Sequence, residues 1–256
     1  MKKNPKKKEA DCKSRKIYGI RVVREYLQAK PEEIQALHLL SSLPVMEIEN
    51  LAKQRGVVVR YESPTFFSSL TREGGHQGIA ASLKAFSYAS LQSILKKDSN
   101  FLLFLDRVVD PRNFGALIRT AEAVGVGGTI FTKDRSAPLS ATVEKTAVGA
   151  TAHMPLCRVE NIARALDETK KAGYWIVGLA PDVQMSLYEE NFPGKIAILL
   201  GGEEKGLRVL TKAKCDFIVS LPMRGRIQSL NVSVAGAVAL YELLRRKLFD
   251  EKMRNG

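Results

Sequence analysis

Cysteine is scarce in this chain of 256 residues: Cys12, Cys157 and Cys215 lie too far apart for a thiolate metal cluster or a disulfide framework. Histidine is equally scarce, and His38, His76 and His153 follow no ligand spacing, so no metal site is expected. No apolar run approaches the roughly 20 residues of a membrane span. The basic opening, MKKNPKKKEADCKSRK, has no apolar stretch behind it, unlike a secretory signal. A protein of a reducing cytoplasm, without a membrane partner, is expected. Nucleotide fingerprints are missing too. GVGG at 125–128 follows a helix and precedes a strand, the reverse of a dinucleotide loop, and no Lys-Ser/Thr pair turns GGEEKG into a P-loop. Nor can a Ser-His-Asp arrangement be assembled.

Positive charge is what the chain has in excess. Forty Lys and Arg stand against 27 Asp and Glu, a net +13 with a pI near 9.7. Lysine and arginine gain affinity by releasing counterions from phosphates, so a nucleic-acid partner is the favoured reading. A merely solvated cationic surface is the other, and an acidic membrane lacks the basic amphipathic helix that would support it.

Residues 1–16 are lysine-rich with almost nothing apolar to bury and read as a disordered basic arm. Residues 17–84 read as a small α/β domain, with a helix in YGIRVVREYL and strands in IQALHLL, VVVRY and QGIAASLKAF. Residues 85–99 have the polar composition of a linker. In 100–250, unbroken apolar strands such as FLLFLD and KIAILL alternate with helices. That pattern is an α/β doubly wound parallel sheet, buried on both faces. Trp175, within YWIVGL, reads as core, and the closing helix is placed at 232–247.

Ligands of such sheets bind outside the carboxyl ends of the strands, where four loops qualify: DRVVDPRN, KDRSAPLSAT, GGEEKG and PMRGRIQSLN. Glu203 and Glu204 in GGEEKG would repel a phosphate, so the loop suits a neutral or cationic ligand, or else is a solvated turn. Arg119 sits six positions into the helix begun at Asn113, among Phe114, Leu117 and Ile118. It is either an interface ion pair or an anion holder. Ser229 and Asn231 flank a leucine before the apolar closing helix and invite two readings, helix capping or chemistry.

DPRNFGALIRTAEAVG, LLGGEEKGL and LPMRGRIQSLNVSVAGAVALYE, in that order, resemble the three motifs of the SpoU (TrmH-type) branch of the SPOUT RNA methyltransferases. IYGIRVV and HQGIAA resemble the family's small L30-like substrate domain, and KDRSAPLSATVEKTAVGA is similar to the bacterial 23S rRNA guanosine-2′-O-methyltransferases in particular. The likeness spans residues 17–247. Two departures stand out: Glu204-Lys205 replaces a commoner small or glycine-containing pair, and Ser140 stands where Asn is frequent.

The resemblance implies S-adenosylmethionine as cofactor, RNA (23S rRNA first) as partner, a homodimer and a C-terminal trefoil knot. The knot lies beyond any sequence rule, since knots are very rare. It implies catalytic roles for Asn113, Arg119, Glu203, Ser229 and Asn231, and cofactor contacts around Gly201, Leu221 and Leu230. A guanidinium stays protonated in proteins, so Arg119 is expected to anchor phosphate and stabilise an alkoxide, with Glu203 holding its fork. Ser229 is expected to cap the closing helix as well as face the reaction. The Ala/Val-rich closing helix is expected to present an apolar face to a second copy. Other readings keep the chemistry on a tRNA or an antibiotic-target rRNA site, or keep the fold as a catalytically silent RNA-binding assembly factor. The intact motif residues argue against the last.

Overall fold

A computed structural model describes residues 14–41, 46–71, 74–203 and 206–255, and the chain divides after Ser87 into two units. The first contains strands β1 (Ser14–Tyr18), β2 (Ile34–Leu40), β3 (Val59–Glu62) and β4 (Ile79–Lys84), with helices α1 (Ile20–Ala29), α2 (Met46–Gln54) and α3 (Pro64–Leu70) between them. The sheet order is β1-β4-β2-β3, with β4 antiparallel to both neighbours and β2 parallel to β3. Helix α1 buries Val22, Val23, Tyr26 and Leu27, the stripe that an i, i+1, i+4, i+5 pattern makes. Buried His38 is satisfied at both ring nitrogens, Nδ1 by Glu62 and Nε2 by Ser82, each at 2.8 Å, so it is a structural histidine.

The expected arm at 1–16 lies outside the described residues as far as residue 13, but Ser14, Arg15 and Lys16 belong to β1. Composition hid this strand because its arginine is not solvated. Arg15 donates to Tyr26 Oη at 2.8 Å and Glu33 Oε2 at 2.9 Å, and lies 4.8 Å from the centre of the Phe86 ring.

The second unit opens with helix α4 (Leu91–Leu95), inside the stretch read as a linker. Ser90 caps it by accepting from Ser93 N–H, and Leu91 and Ile94 enter the core beneath the large sheet. Two apolar positions three apart are too few to register as a helix in a sequence reading. The sheet comprises β5 (Phe101–Asp106), β6 (Thr129–Thr132), β7 (Leu156–Val159), β8 (Tyr174–Leu179), β9 (Lys195–Gly201) and β10 (Phe217–Val219). Helices α5 (Pro111–Val124), α6 (Ala141–Ala147), α7 (Ile162–Lys171), α8 (Val209–Lys212) and α9 (Val232–Asn255) complete it. Every pairing is parallel and the order is β10-β8-β9-β5-β6-β7. From β5 the chain winds outward through β6 and β7, then returns to the other flank. The direction of winding therefore reverses between β5 and β9, which brings the carboxyl ends of these two strands together where such sheets bind ligands.

Two apolar expectations are corrected. Trp175 is 41% exposed instead of core, because β10 starts opposite Val177 and leaves the Trp175 level without a paired strand on that side. Its ring leans on Phe217 at 5.7 Å. Helix α9 runs to Asn255, well past 247, and is buried on one face only: Ala239, Leu240 and Leu243 face inward while Val234, Tyr241, Leu248 and Phe249 are exposed. Gly236 lets α9 approach closely, since a Cβ there would lie 2.4 Å from Leu117 Cδ2 and 2.6 Å from Leu200 Cδ1. Ser140, one of the family departures, caps α6 through its side chain, a role that Asn would serve equally.

Glu242 fastens the other end of α9. It binds Arg245 through Nε and Nη2, each at 2.8 Å, and Arg246 Nε at 2.7 Å, while Arg246 also donates to the carbonyls of Leu187 and Glu190. The Arg245 guanidinium, followed by that of Arg246, holds the Glu242 carboxyl down at about 2, from an ordinary value of 4.5. A folded-state pKa below the unfolded one gives stabilisation that is present above the unfolded value and disappears as pH falls through the folded one. Denaturation midpoints are therefore expected to fall between pH 4.5 and about 2, and to fall less in Glu242→Gln. Equal slopes in the two proteins would contradict this assignment.

Candidate active site

Strand β5 delivers the chain to Asp110, whose carboxylate accepts from the N–H groups of Arg112 (2.7 Å) and Asn113 (2.9 Å) and so starts α5. Pro111 occupies the first helical position, where its missing N–H costs nothing. This cap holds Asn113 in the first turn, at the carboxyl edge of the sheet. Its amide is then committed at both ends. Nδ2 donates to Glu203 Oε1 at 2.9 Å, and Oδ1 accepts from Asn231 Nδ2 at 3.0 Å and Ser233 Oγ at 3.2 Å. Three loops distant in sequence thus meet on one side chain.

Asn231 also begins α9: its Oδ1 accepts from Ser233 N–H at 2.9 Å, and the single Ser233 hydroxyl proton is shared between this oxygen at 2.6 Å and Asn113 Oδ1. Capping therefore belongs to Asn231, not to Ser229 as expected. Ser229 lies two residues before the cap, where its side chain is out of reach of the first-turn N–H groups, and it lines the adjoining cleft instead. Ser233 is a participant that motif reasoning passed over. Its signal was available, since Asn231 and Ser233 stand two apart at a helix entry, the spacing of an Asx turn.

Arg119 lies exposed on α5, and no described residue gives it a hydrogen bond or an ion pair. The Glu203 carboxylate is seated on Asn113, and no ion pair joins it to Arg119. Glu203 thus secures Asn113, in place of the expected arginine fork.

Beside this junction is a cleft of about 670 Å³, lined by Leu179, Leu200, Gly201, Leu207, Leu221 and Leu230, with Asp182, Glu203, Lys212, Gln228, Ser229 and Asn231 as its polar members. All three expected cofactor positions, Gly201, Leu221 and Leu230, are among them. Gly202 and Gly206 form a β-bridge that folds the loop back on itself. A Cβ on Gly202 would lie 2.3 Å from the Arg107 carbonyl oxygen, so only glycine permits this closeness. Glu204 and Lys205 are outside the described residues. Apolar walls, backbone edges and carboxylates at the rim are the donor set that a flat aromatic base and a sulfonium cation require, so the residues fit S-adenosylmethionine. The thiols take no part: burial pushes Cys157 and Cys215 each up to about 11, which keeps them protonated and unreactive near neutrality. Among the described residues, no cluster of three or more His, Cys, Asp or Glu could hold a metal ion, and no helix is long and apolar enough to cross a membrane.

The SpoU rRNA Methylase family profile matches residues 100–241, the unit that holds the cleft. The chain belongs to this family. A second profile, RNA 2′-O ribose methyltransferase substrate binding, matches residues 16–89 of the SpoU chain. The chain is 37% identical over 241 residues to the 23S rRNA (guanosine-2′-O-)-methyltransferase RlmB of Salmonella typhimurium, covering 91% of this chain and 99% of that one. It is 41% identical over 243 residues to RlmB of Coxiella burnetii, covering 92% and 97%. The AdoMet-bound rRNA methyltransferase of Sinorhizobium meliloti superposes with a TM-score of 0.78 at 25% identity, over 92% of this chain and 88% of that one.

Capping and chemistry at Asn231 are separable by substitution. Asn231→Asp keeps the acceptor for Ser233 N–H but sets a second acceptor against Asn113 Oδ1, so the cap is expected to survive while turnover drops at least about tenfold. Asn231→Ala loses both the cap and the contact with Asn113 and is expected to cost about 1 kcal/mol of stability as well. An Asp variant that turns over like the parent would reduce Asn231 to a cap.

Proposed function

We propose that this protein methylates the 2′-hydroxyl of a guanosine ribose in 23S rRNA, using S-adenosylmethionine. The observation that carries the reading is the convergence of Asn113, Glu203 and Asn231 at the mouth of a cleft lined by Gly201, Leu221 and Leu230. The bound cofactor supplies a sulfonium methyl open to in-line attack. The chain supplies alignment, which is worth several kcal/mol when the reacting groups are held in a near-attack geometry. Leu230, 42% exposed at the cleft, offers an apolar face to the adenine. Asn113 cannot rotate its amide without breaking bonds at both ends, and so gives the ribose a fixed neighbour. Ser229 faces the same space. Arg119 has its guanidinium free for the RNA: it holds the target phosphate and stabilises charge developing on the attacking oxygen. Removing a proton is not its task, because a guanidinium stays protonated in proteins.

Recognition falls to the first unit. RNA is read by shape, backbone and splayed bases, and a folded module with basic and aromatic surface suits that task. Arg60, exposed on β3, belongs to such a surface, as does Lys16, whose Nζ lies 4.9 Å from the centre of the Phe66 ring. The exposed Val234, Tyr241, Leu248 and Phe249 on α9 favour a cytoplasmic homodimer that covers them. The trefoil knot that the family's C-terminal segment forms completes the reading.

The test is mass mapping of methylated nucleotides in ribosomal RNA from cells with and without the protein, complemented by the parent chain or by Arg119→Ala. One 2′-O-methylguanosine in 23S rRNA is expected to vanish without the protein and to return with the parent only. Purified Arg119→Ala is expected to bind S-adenosylmethionine with nearly parental affinity. A lost methyl group that maps to tRNA, or an Arg119 variant that fails to bind cofactor, would overturn the reading.

A further inference from the structure

Asp106 closes an otherwise apolar strand, FLLFLD, and its side chain has no solvent exposure. The motif residues do not include it, and it does not line the cleft. Its Oδ2 accepts from Arg208 Nε at 2.8 Å and from Thr211 Oγ1 at 3.0 Å. Its Oδ1 is buried with no hydrogen-bond partner among the described residues. A carboxylate taken out of water and satisfied on one oxygen only is a poor source of stability. A well-packed apolar side chain of that volume would do as well or better. The position calls for another explanation.

The topology supplies one. Asp106 stands opposite Gly201 in the β5–β9 register, and Gly201 is where β9 ends and the glycine loop begins. Arg208 follows Leu207, where that loop ends, and starts α8. The main chain of Asp106 therefore meets the entrance of the loop, and its carboxylate grips the exit. Between them lie Gly202, Glu203, Gly206 and Leu207, all of which line the cleft. Thr211 Oγ1 lies 3.0 Å from the Arg208 carbonyl as well, so the first turn of α8 is drawn into the same contact.

We infer that Asp106 is a positioning residue for the cofactor: through Arg208 it holds Gly206 and Leu207 where they line the wall that receives S-adenosylmethionine. This rests on the methyltransferase reading above. The loop carries Glu203, but Asn113 and Asn231 are held by each other as well, so the effect falls on cofactor binding before it falls on chemistry.

The experiment uses the full chain and compares the parent with Asp106→Asn, Arg208→Gln and Arg208→Lys, measuring the KM for S-adenosylmethionine, kcat at saturating cofactor, RNA affinity and melting temperature. Asp106→Asn is expected to raise the cofactor KM at least about tenfold, with kcat within about threefold and RNA affinity within about twofold of the parent. Arg208→Gln removes the same contact from its partly exposed side and is expected to reproduce the KM effect even if Asp106→Asn folds poorly. Arg208→Lys keeps a charge on the carboxylate and is expected to recover most of the affinity. A lower melting temperature with an unchanged KM would make Asp106 a purely structural residue, and a fall in kcat alone would place it in the chemistry; either result overturns the inference. A parent protein that binds no S-adenosylmethionine would instead strike down the methyltransferase reading itself.

Discussion

One amide, that of Asn113, is the junction on which the site depends. It has one donor end and one acceptor end, and both are occupied: Glu203 takes the donor, while Asn231 and Ser233 share the acceptor. The partners lie 90, 118 and 120 residues further along the chain than Asn113. Hydrogen bonds of this kind are individually worth only about 1 kcal/mol net. Their value here is geometric, because each fixes the orientation that the next requires. Glu203, as an ionised carboxylate, can only accept, which forces the Asn113 oxygen toward α9. That oxygen in turn orients the Asn231 side chain, whose own oxygen caps the helix.

Packing makes the junction possible. The winding reversal between β5 and β9 puts the first turn of α5 beside the loop that follows β9. Gly236 then allows α9 to lie against Leu117 and Leu200 at a distance no side chain would permit. Add a methyl group at Gly236, and α9 must move away from α5, taking Asn231 with it. Core packing and site geometry are therefore one constraint read at two scales. The same economy operates at the far end of α9, where Arg246, held by Glu242, ties the helix to the 187–190 segment.

Much of this was legible in the sequence. Continuous apolar strands such as FLLFLD and KIAILL announced a parallel sheet, and the resemblance of three ordered motifs announced the family. Asn113, Glu203 and Asn231 were each picked out, and the structure brings them together. What was illegible depended on pairing across the fold. Nothing local in Ser14–Lys16 distinguishes a strand from a basic arm, because the Tyr26, Glu33 and Phe86 groups that satisfy Arg15 are distant in sequence. The exposure of Trp175 depends on where a neighbouring strand happens to begin. Assigning Glu203 to Arg119 matches charge to charge, whereas the folded loop seats it on Asn113. Ser229 was credited with the cap because both polar residues preceded the helix, and only backbone geometry tells which side chain reaches the first-turn N–H groups.

If Asn113 and Asn231 act as a single unit, their removal is not counted twice. Single-turnover methyl transfer with the parent, Asn113→Ala, Asn231→Asp and the double variant forms a cycle that isolates the interaction. The account predicts that the double variant is slower than the worse single variant by no more than about threefold, a coupling of at least about 0.7 kcal/mol when each single loss is about tenfold or more. Losses that multiply, with free-energy changes that add to within about 0.5 kcal/mol, would contradict it and make the two asparagines independent.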